Sequence, residues 1–141
     1  MSLKSAVLAI AVLLSAAAGA AQADTIHFGA TLTGADEVPP NTTTGKGELI
    51  AELESEERVL TYRASASGLT GPAVAAHFHG PAAPGSNAPP VVVVPDPTAI
   101  SGAVLLTPQQ VDDLMAGKWY FNIHTKANPG GEIRGQVKKL N

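Results

Sequence analysis

Between Thr25 and Val137 the β-branched, aromatic and other apolar residues come in short alternating runs, each cut off by Gly, Pro, Asn or Ser. Alternation with a period of two buries one face of a strand and exposes the other, and the frequent turn formers stop a run before it can become a long helix. The pattern predicts an antiparallel sandwich or barrel built from runs at 26–33, 48–54, 59–66, 74–79, 91–94, 103–106, 119–125 and 132–137. The second and third runs, separated by Ser55-Glu56-Glu57, read as a hairpin with Leu60, Tyr62, Ala64 and Ala66 on one face. Between 79 and 91 lies a Pro-rich surface loop, and Pro95 and Pro97 end the run that follows it.

One short helix interrupts the strands. Thr107 reads as its N-cap, Pro108 as the first helical residue, Gln110 as the partner in a capping box and Gly117 as the residue past its end, with Val111, Leu114 and Met115 on its buried side. A helix this short is marginal by itself and is expected to lie against the sheet as a connector.

The beginning of the chain has a different character. Lys4 precedes a largely apolar run from Ala6 to Ala18, and Ala21-Gln22-Ala23 has the small-x-small form of a cleavage site. Residues 1–23 are therefore expected to be a secretory signal peptide, cleaved to leave a single domain over 24–141 in the periplasm or outside the cell. The apolar run is too short to span the roughly 30 Å of a bilayer as a helix, and none follows it, so no membrane span is expected after cleavage. The loss of Lys4 leaves the 12 acidic residues outnumbering the remaining basic ones by four. With no basic cluster to meet phosphates, nucleic acid is not an expected partner. The sequence contains no Cys, so the core must hold the fold without disulfides and any metal must take nitrogen or oxygen ligands.

The four histidines carry the most chemical information. His77 and His79 flank Phe78, and the alternation of a strand puts both imidazoles on one face and Phe78 on the other, in the core. The same alternation puts Trp119, Phe121 and Ile123 in the core and turns Tyr120, Asn122 and His124 outward. If the two strands are neighbours, His77, His79 and His124 converge on the exposed side as a ligand set for a divalent ion. Exposed strand histidines can also simply pair with carboxylates or bond backbone groups, and both readings stand at this point. His27, at the start of a strand, is the weaker fourth ligand. Glu132 and Arg134 share the His124 side by the same alternation, where they are placed to orient an imidazole from behind or to pair with each other. Asn41-Thr42-Thr43 matches a glycosylation pattern but sits in a polar turn and reads as a loop. No G-x-S-x-G elbow, P-loop, H-E-x-x-H helix or Cys nucleophile occurs, and Glu56-Glu57 and Asp112-Asp113 fall in a turn and on a helix surface. Hydrolytic catalysis lacks a constellation, and an enzyme is not the expected reading.

Four separated segments occur in order: Ala30 to Pro40 with its Thr-Gly-Ala-Asp-Glu-Val-Pro-Pro end, Gly68-Leu69-Thr70, Ala76-His77-Phe78-His79-Gly80-Pro81-Ala82, and Asn122-Ile123-His124-Thr125 followed by Asn128-Pro129-Gly130-Gly131-Glu132-Ile133-Arg134-Gly135. Together they resemble the CHRD domain, first described in chordin, over nearly all of the chain after the leader. The resemblance implies an all-β, immunoglobulin-like antiparallel sandwich or Greek-key barrel of the kind found in many exported bacterial proteins. Chordin itself is an extracellular antagonist of bone morphogenetic proteins, but a single copy without Cys-rich modules sets this chain apart, and a shared fold does not carry a partner surface with it. The HxH and NxHT motifs belong to the family pattern and fall on His77, His79 and His124.

The leading expectation is an exported β-sandwich that binds a transition metal through these three histidines, copper before zinc on ligand type and affinity order. The alternatives are a metal-independent module that binds an extracytoplasmic protein through loops such as 80–90, and a mononuclear copper redox enzyme resembling superoxide dismutase in outline. A dinuclear copper-zinc centre would need more imidazoles than the chain has.

Overall fold

The computed structural model describes residues 23–141; the expected leader, 1–23, lies outside them but for Ala23. Among the described residues nine strands form: β1 (Thr25–Thr33), β2 (Lys46–Glu54), β3 (Val59–Ser67), β4 (Ala73–His79), β5 (Pro90–Val93), β6 (Ser101–Leu105), β7 (Tyr120–Thr125), β8 (Ile133–Gln136) and β9 (Lys138–Lys139). One helix, α1 (Pro108–Met115), joins β6 to β7, and a 3₁₀ turn at Gly34–Asp36 follows β1. Every pairing is antiparallel. The expected all-β class with one connecting helix is what forms, and β9 and the 3₁₀ turn are additions to it.

Why these segments pair is clearest in β2. Gly47, Leu49, Ala51 and Leu53 are buried while Lys46, Glu48, Ile50 and Glu52 are exposed, so a slip of one residue against β1 or β3 would turn charges into the core. Across the sheet the order is β5-β4-β7-β8-β1-β2-β3-β6, with β9 beside β1. The sheet curls until its two halves face each other. Tyr62 on β3 meets Phe78 on β4 edge to face at 5.1 Å between ring centroids, although these strands stand near opposite ends of the order. One core results, with Phe28, Leu32, Leu60, Phe78, Phe121 and Ile123 among its buried side chains. Removing such a residue from water contributes roughly 1.5–3 kcal/mol.

The helix forms as its ends predicted. The Thr107 hydroxyl accepts from the Gln110 backbone and the Gln110 side chain accepts from the Thr107 N–H, while Gly117 takes a positive φ of 70° past the last turn. Leu114 is fully buried, but Met115, expected on the same side, is exposed; one turn of helix touches the core through a narrower stripe than the sequence spacing allowed.

Glu132 departs from its expected place. The turn Asn128-Pro129-Gly130-Gly131 leads into it, Gly131 has a φ of 125°, and β8 starts only at Ile133, so strand alternation does not extend back through the turn. The Glu132 carboxylate contacts no imidazole. It accepts instead from the hydroxyls of Thr43, Thr70 and Thr125 and from the Thr70 backbone N–H, at 2.6–2.9 Å. Asn41 adds its side-chain amide to the Glu132 carbonyl at 2.9 Å, so the Asn41–Thr43 stretch is a loop fastened to the residue that leads into β8. The carboxylate ties the β1–β2 connection, the β3–β4 connection and β7 together at one end of the sandwich.

Glu132 is completely buried. Burial opposes its charge, but the hydrogen bonds from Thr125, Thr43 and Thr70 outweigh that and hold its carboxyl down at about 2. A carboxyl lower in the folded than in the unfolded chain contributes stability that is present above about pH 4.5 and lost as pH falls through about 2. Glu132→Gln puts an amide NH₂ against donors and is expected to cost about 2–4 kcal/mol at pH 7. Chemical unfolding from pH 7 down to pH 2 checks it: the deficit should shrink as wild type loses its charged carboxylate, and a deficit that is absent at pH 7 would contradict the assignment.

Candidate metal centre

β4 and β7 are neighbours in register His77↔Asn122, Phe78↔Phe121 and His79↔Tyr120. Phe78 and Phe121 point into the core, packed at 4.8 Å between centroids. The other face of the same two strands carries His77 and His79 from β4 and Tyr120, Asn122 and His124 from β7, as the alternation predicted. His77 Nδ1 stands 3.1 Å from His124 Nε2, and one nitrogen from each of His77, His79 and His124 lies within 4.8 Å of the others. Bonds of about 2.0–2.1 Å to a tetrahedral ion place ligand nitrogens about 3.3 Å apart. Gathering the three around one ion therefore takes side-chain movements of roughly an ångström.

The face is not open, contrary to expectation. His79 and His124 are only 8% and 9% exposed, and all six residues of β7 are buried. The cover comes from the 80–90 loop. Arg134, on β8 beside Asn122, donates from its guanidinium to the Ser86 carbonyl and the Asn87 side chain and lies 3.4 Å over the Tyr120 ring. Tyr120 in turn stacks on His79 at 4.7 Å with the rings 4° from parallel, and its hydroxyl exchanges hydrogen bonds with Ala88. Arg134 thus reaches the imidazoles, as its place on the strand suggested, but through Tyr120 and the loop and not by direct contact.

Backbone carbonyls fix the rings. His79 Nδ1 donates to Ala88 O at 2.8 Å and His124 Nδ1 to Pro129 O at 2.9 Å. A carbonyl oxygen only accepts, so in the neutral rings both protons sit on Nδ1 and both Nε2 atoms present lone pairs. Those two nitrogens face one atom, Asn122 Oδ1, at 3.0 and 2.9 Å. Burial lowers the pKa of His77, with the neighbouring His124 and His79 acting the same way. Burial also lowers His79, against the opposing effect of its bonds to Ala88 and Asn122. The site thus favours neutral His77 and His79, the form that binds a metal.

On the far side of Asn122 lies Glu37, which is 5% exposed and whose Oε1 has no hydrogen-bond partner. Burial pushes its carboxyl up to about 7, against the pull of the Arg134 charge, the Asn122 amide and the Val38 N–H. His27 takes no part: it is exposed on β1 and pairs with Glu52 at 3.5 Å. Among the described residues the group of potential ligands is His77, His79 and His124. The sequence pointed to these three and missed the two carbonyls and Glu37. The Asp36-Glu37-Val38-Pro39-Pro40 motif was visible, but its approach to Asn122 depends on the β1–β2 connection folding across β8.

The family model of the CHRD domain matches residues 28–137, a span that holds every residue of this site. No curated protein and no solved structure matches the chain.

Arg134→Lys keeps the charge but loses the flat face over Tyr120 and the forked grip on the loop. It is expected to cost about 1–3 kcal/mol and to speed amide hydrogen exchange at Ala88, whose N–H is held by Tyr120. Unchanged exchange at Ala88 would mean that the loop is held down without Arg134.

Proposed function

This chain belongs to the CHRD domain family, and we propose that its β-sandwich is an exported module that holds one transition-metal ion through His77, His79 and His124, copper in preference to zinc. The observation that carries the reading is the ring arrangement. Three imidazole nitrogens gather within 4.8 Å, and two of the rings are turned by backbone carbonyls so that their lone pairs meet. Without a proton or a cation between them these lone pairs and the Asn122 oxygen repel. An ion held by His77, His79 and His124 would relieve that repulsion. Orientation of ligating imidazoles through the second ring nitrogen is how protein metal sites fix tautomer and aim. An all-nitrogen imidazole set suits copper, zinc, nickel and iron, and copper leads this series in affinity.

His77 is the partly exposed member of the trio and gives the better test. His124 is buried and bonded through Nδ1 to the Pro129 carbonyl, so His124→Ala is expected to cost the metal-free protein about 1–3 kcal/mol, more than an open face would have implied. Binding only to the folded state raises the melting temperature. Cu(II), and Zn(II) to a smaller extent, should raise the melting curve of wild type at pH 7.5 and have a weaker effect at pH 5, where protons compete for the rings. His77→Ala should lose most of this shift while melting near wild type without metal. If neither ion moves the wild-type curve at pH 7.5, the metal reading fails and a metal-independent interaction module, using the 80–90 loop, takes its place.

Export rests on the leader-like pattern ending at Ala23 and on the place where the fold takes up the chain: β1 begins at Thr25, next to the expected cut. No helix of the described residues is long and apolar enough to cross a membrane. N-terminal sequencing of the protein recovered from a secreting host is expected to start at Asp24, and a start at Met1 would refute the leader.

A further inference from the structure

Three neutral imidazoles bring no negative charge to a divalent ion, and the nearest buried cation, Arg134, sits behind the Tyr120 ring that stacks on His79. An anion within the same cover would strengthen the hold of such a site on a divalent ion. Glu37 is there. A Cβ placed on Gly131 would run into both the Glu37 carboxylate and Asn122 Nδ2, so glycine at 131 lets the two side chains come together. Asn122 therefore stands between two partners, with Nδ2 toward Glu37 and Oδ1 toward His79 and His124.

The direction of this amide decides whether the site is open. With Oδ1 toward the rings, the amide donates to neither Nε2: the His79 lone pair has no donor, and that of His124 faces only the neighbouring ring nitrogen His77 Nδ1 at 3.1 Å. With the amide reversed, Nδ2 would donate to those lone pairs and plug them. An ionised carboxylate resists the reversal, because it would then face Oδ1, a second acceptor. The charged groups around Glu37 are Arg134, which favours its ionised form, and Asp36, which opposes it. The partnerless Oε1 is a cost that packing alone does not explain.

We propose that Glu37 is a positioning residue of the metal site: it holds the Asn122 amide so that the amide does not donate to the imidazole nitrogens of His79 and His124, and it supplies a buried negative charge close to a divalent ion bound there. This rests on the metal reading above in its second half only, since the first half concerns the metal-free rings.

The test compares full-length mature wild type with Glu37→Gln, a substitution of the same shape that removes the charge and lets the amide face either way. Zn(II) is the titrant, with affinity measured by chelator competition at pH 7.5. Ring-nitrogen NMR of the metal-free proteins reads which nitrogens of His79 and His124 carry protons or accept hydrogen bonds. Glu37→Gln is expected to weaken Zn(II) binding 10- to 100-fold, the range usual for groups behind a metal ligand, and to move the Nε2 signals of both rings toward a hydrogen-bonded position. Its melting temperature without metal should be equal to or above that of wild type. Unchanged affinity together with unchanged ring signals would overturn the proposal, whatever happens to the melting temperature, and would leave the metal reading standing. If wild type itself takes no Zn(II) or Cu(II), the metal reading falls and the ring signals decide alone: a shift in Glu37→Gln sustains its hold on Asn122, and identical spectra remove it.

Discussion

The strand Tyr120–Thr125 is buried on both faces, and the arrangement around it follows from that. On the core side Phe121 and Ile123 need only apolar neighbours. On the other side Asn122, His124 and the Tyr120 hydroxyl are polar, and a polar group shut away from water needs a partner from within the protein. The partners arrive from segments that cross this face: Ala88 from the covering loop, Pro129 from the following turn, and His77 and His79 from the adjoining strand. Arg134 pins the loop that provides one of them. A sheet with an open outer face would have left these side chains to water and given them no fixed direction.

Two buried carboxylates show how differently this protein treats the same group. Glu132 is surrounded by donors and held at about 2; Glu37 has one oxygen without a partner and is pushed up to about 7. Each lies next to the β7–β8 turn, one on either side of the strand pair. The first fastens three connections and keeps its charge under all ordinary conditions. The second stays close to the balance between its two charge states and touches Asn122, the residue that meets both buried imidazoles.

Much of this was legible in the sequence because strand alternation is a local rule. Phe78 between two histidines, and Ile123 before His124, fixed which side chains share a face, and Thr107 with Gln110 fixed the start of the helix. The exposed or buried state of that shared face was not legible, because it depends on where a loop of Pro, Gly and Ala folds back, and nothing in the loop's own composition records the guanidinium that holds it. Glu132 was misplaced for a related reason: it precedes the first residue of β8, where counting by twos no longer holds. Glu37 and the carbonyls of Ala88 and Pro129 carry no signal at all, since any residue offers a carbonyl and an acidic residue in a loop normally faces solvent.

β1 pairs with β2 along its whole length, but its other edge is taken by Arg134 opposite Thr33 and by Lys138 and Lys139 opposite Gly29 and Phe28. The first strand of the domain is thus completed by its last two, β8 and β9. Pairings this distant along the chain close large loops before they gain contacts, which makes acquisition of the native state slow and concerted. A nascent chain that stops short of β8 and β9 leaves the edge of β1 bare, with Phe28 and Leu32 without part of their cover. Closure of the fold therefore waits on β8 and β9, so the order in which the domain's segments emerge also sets when its first strand can be sealed.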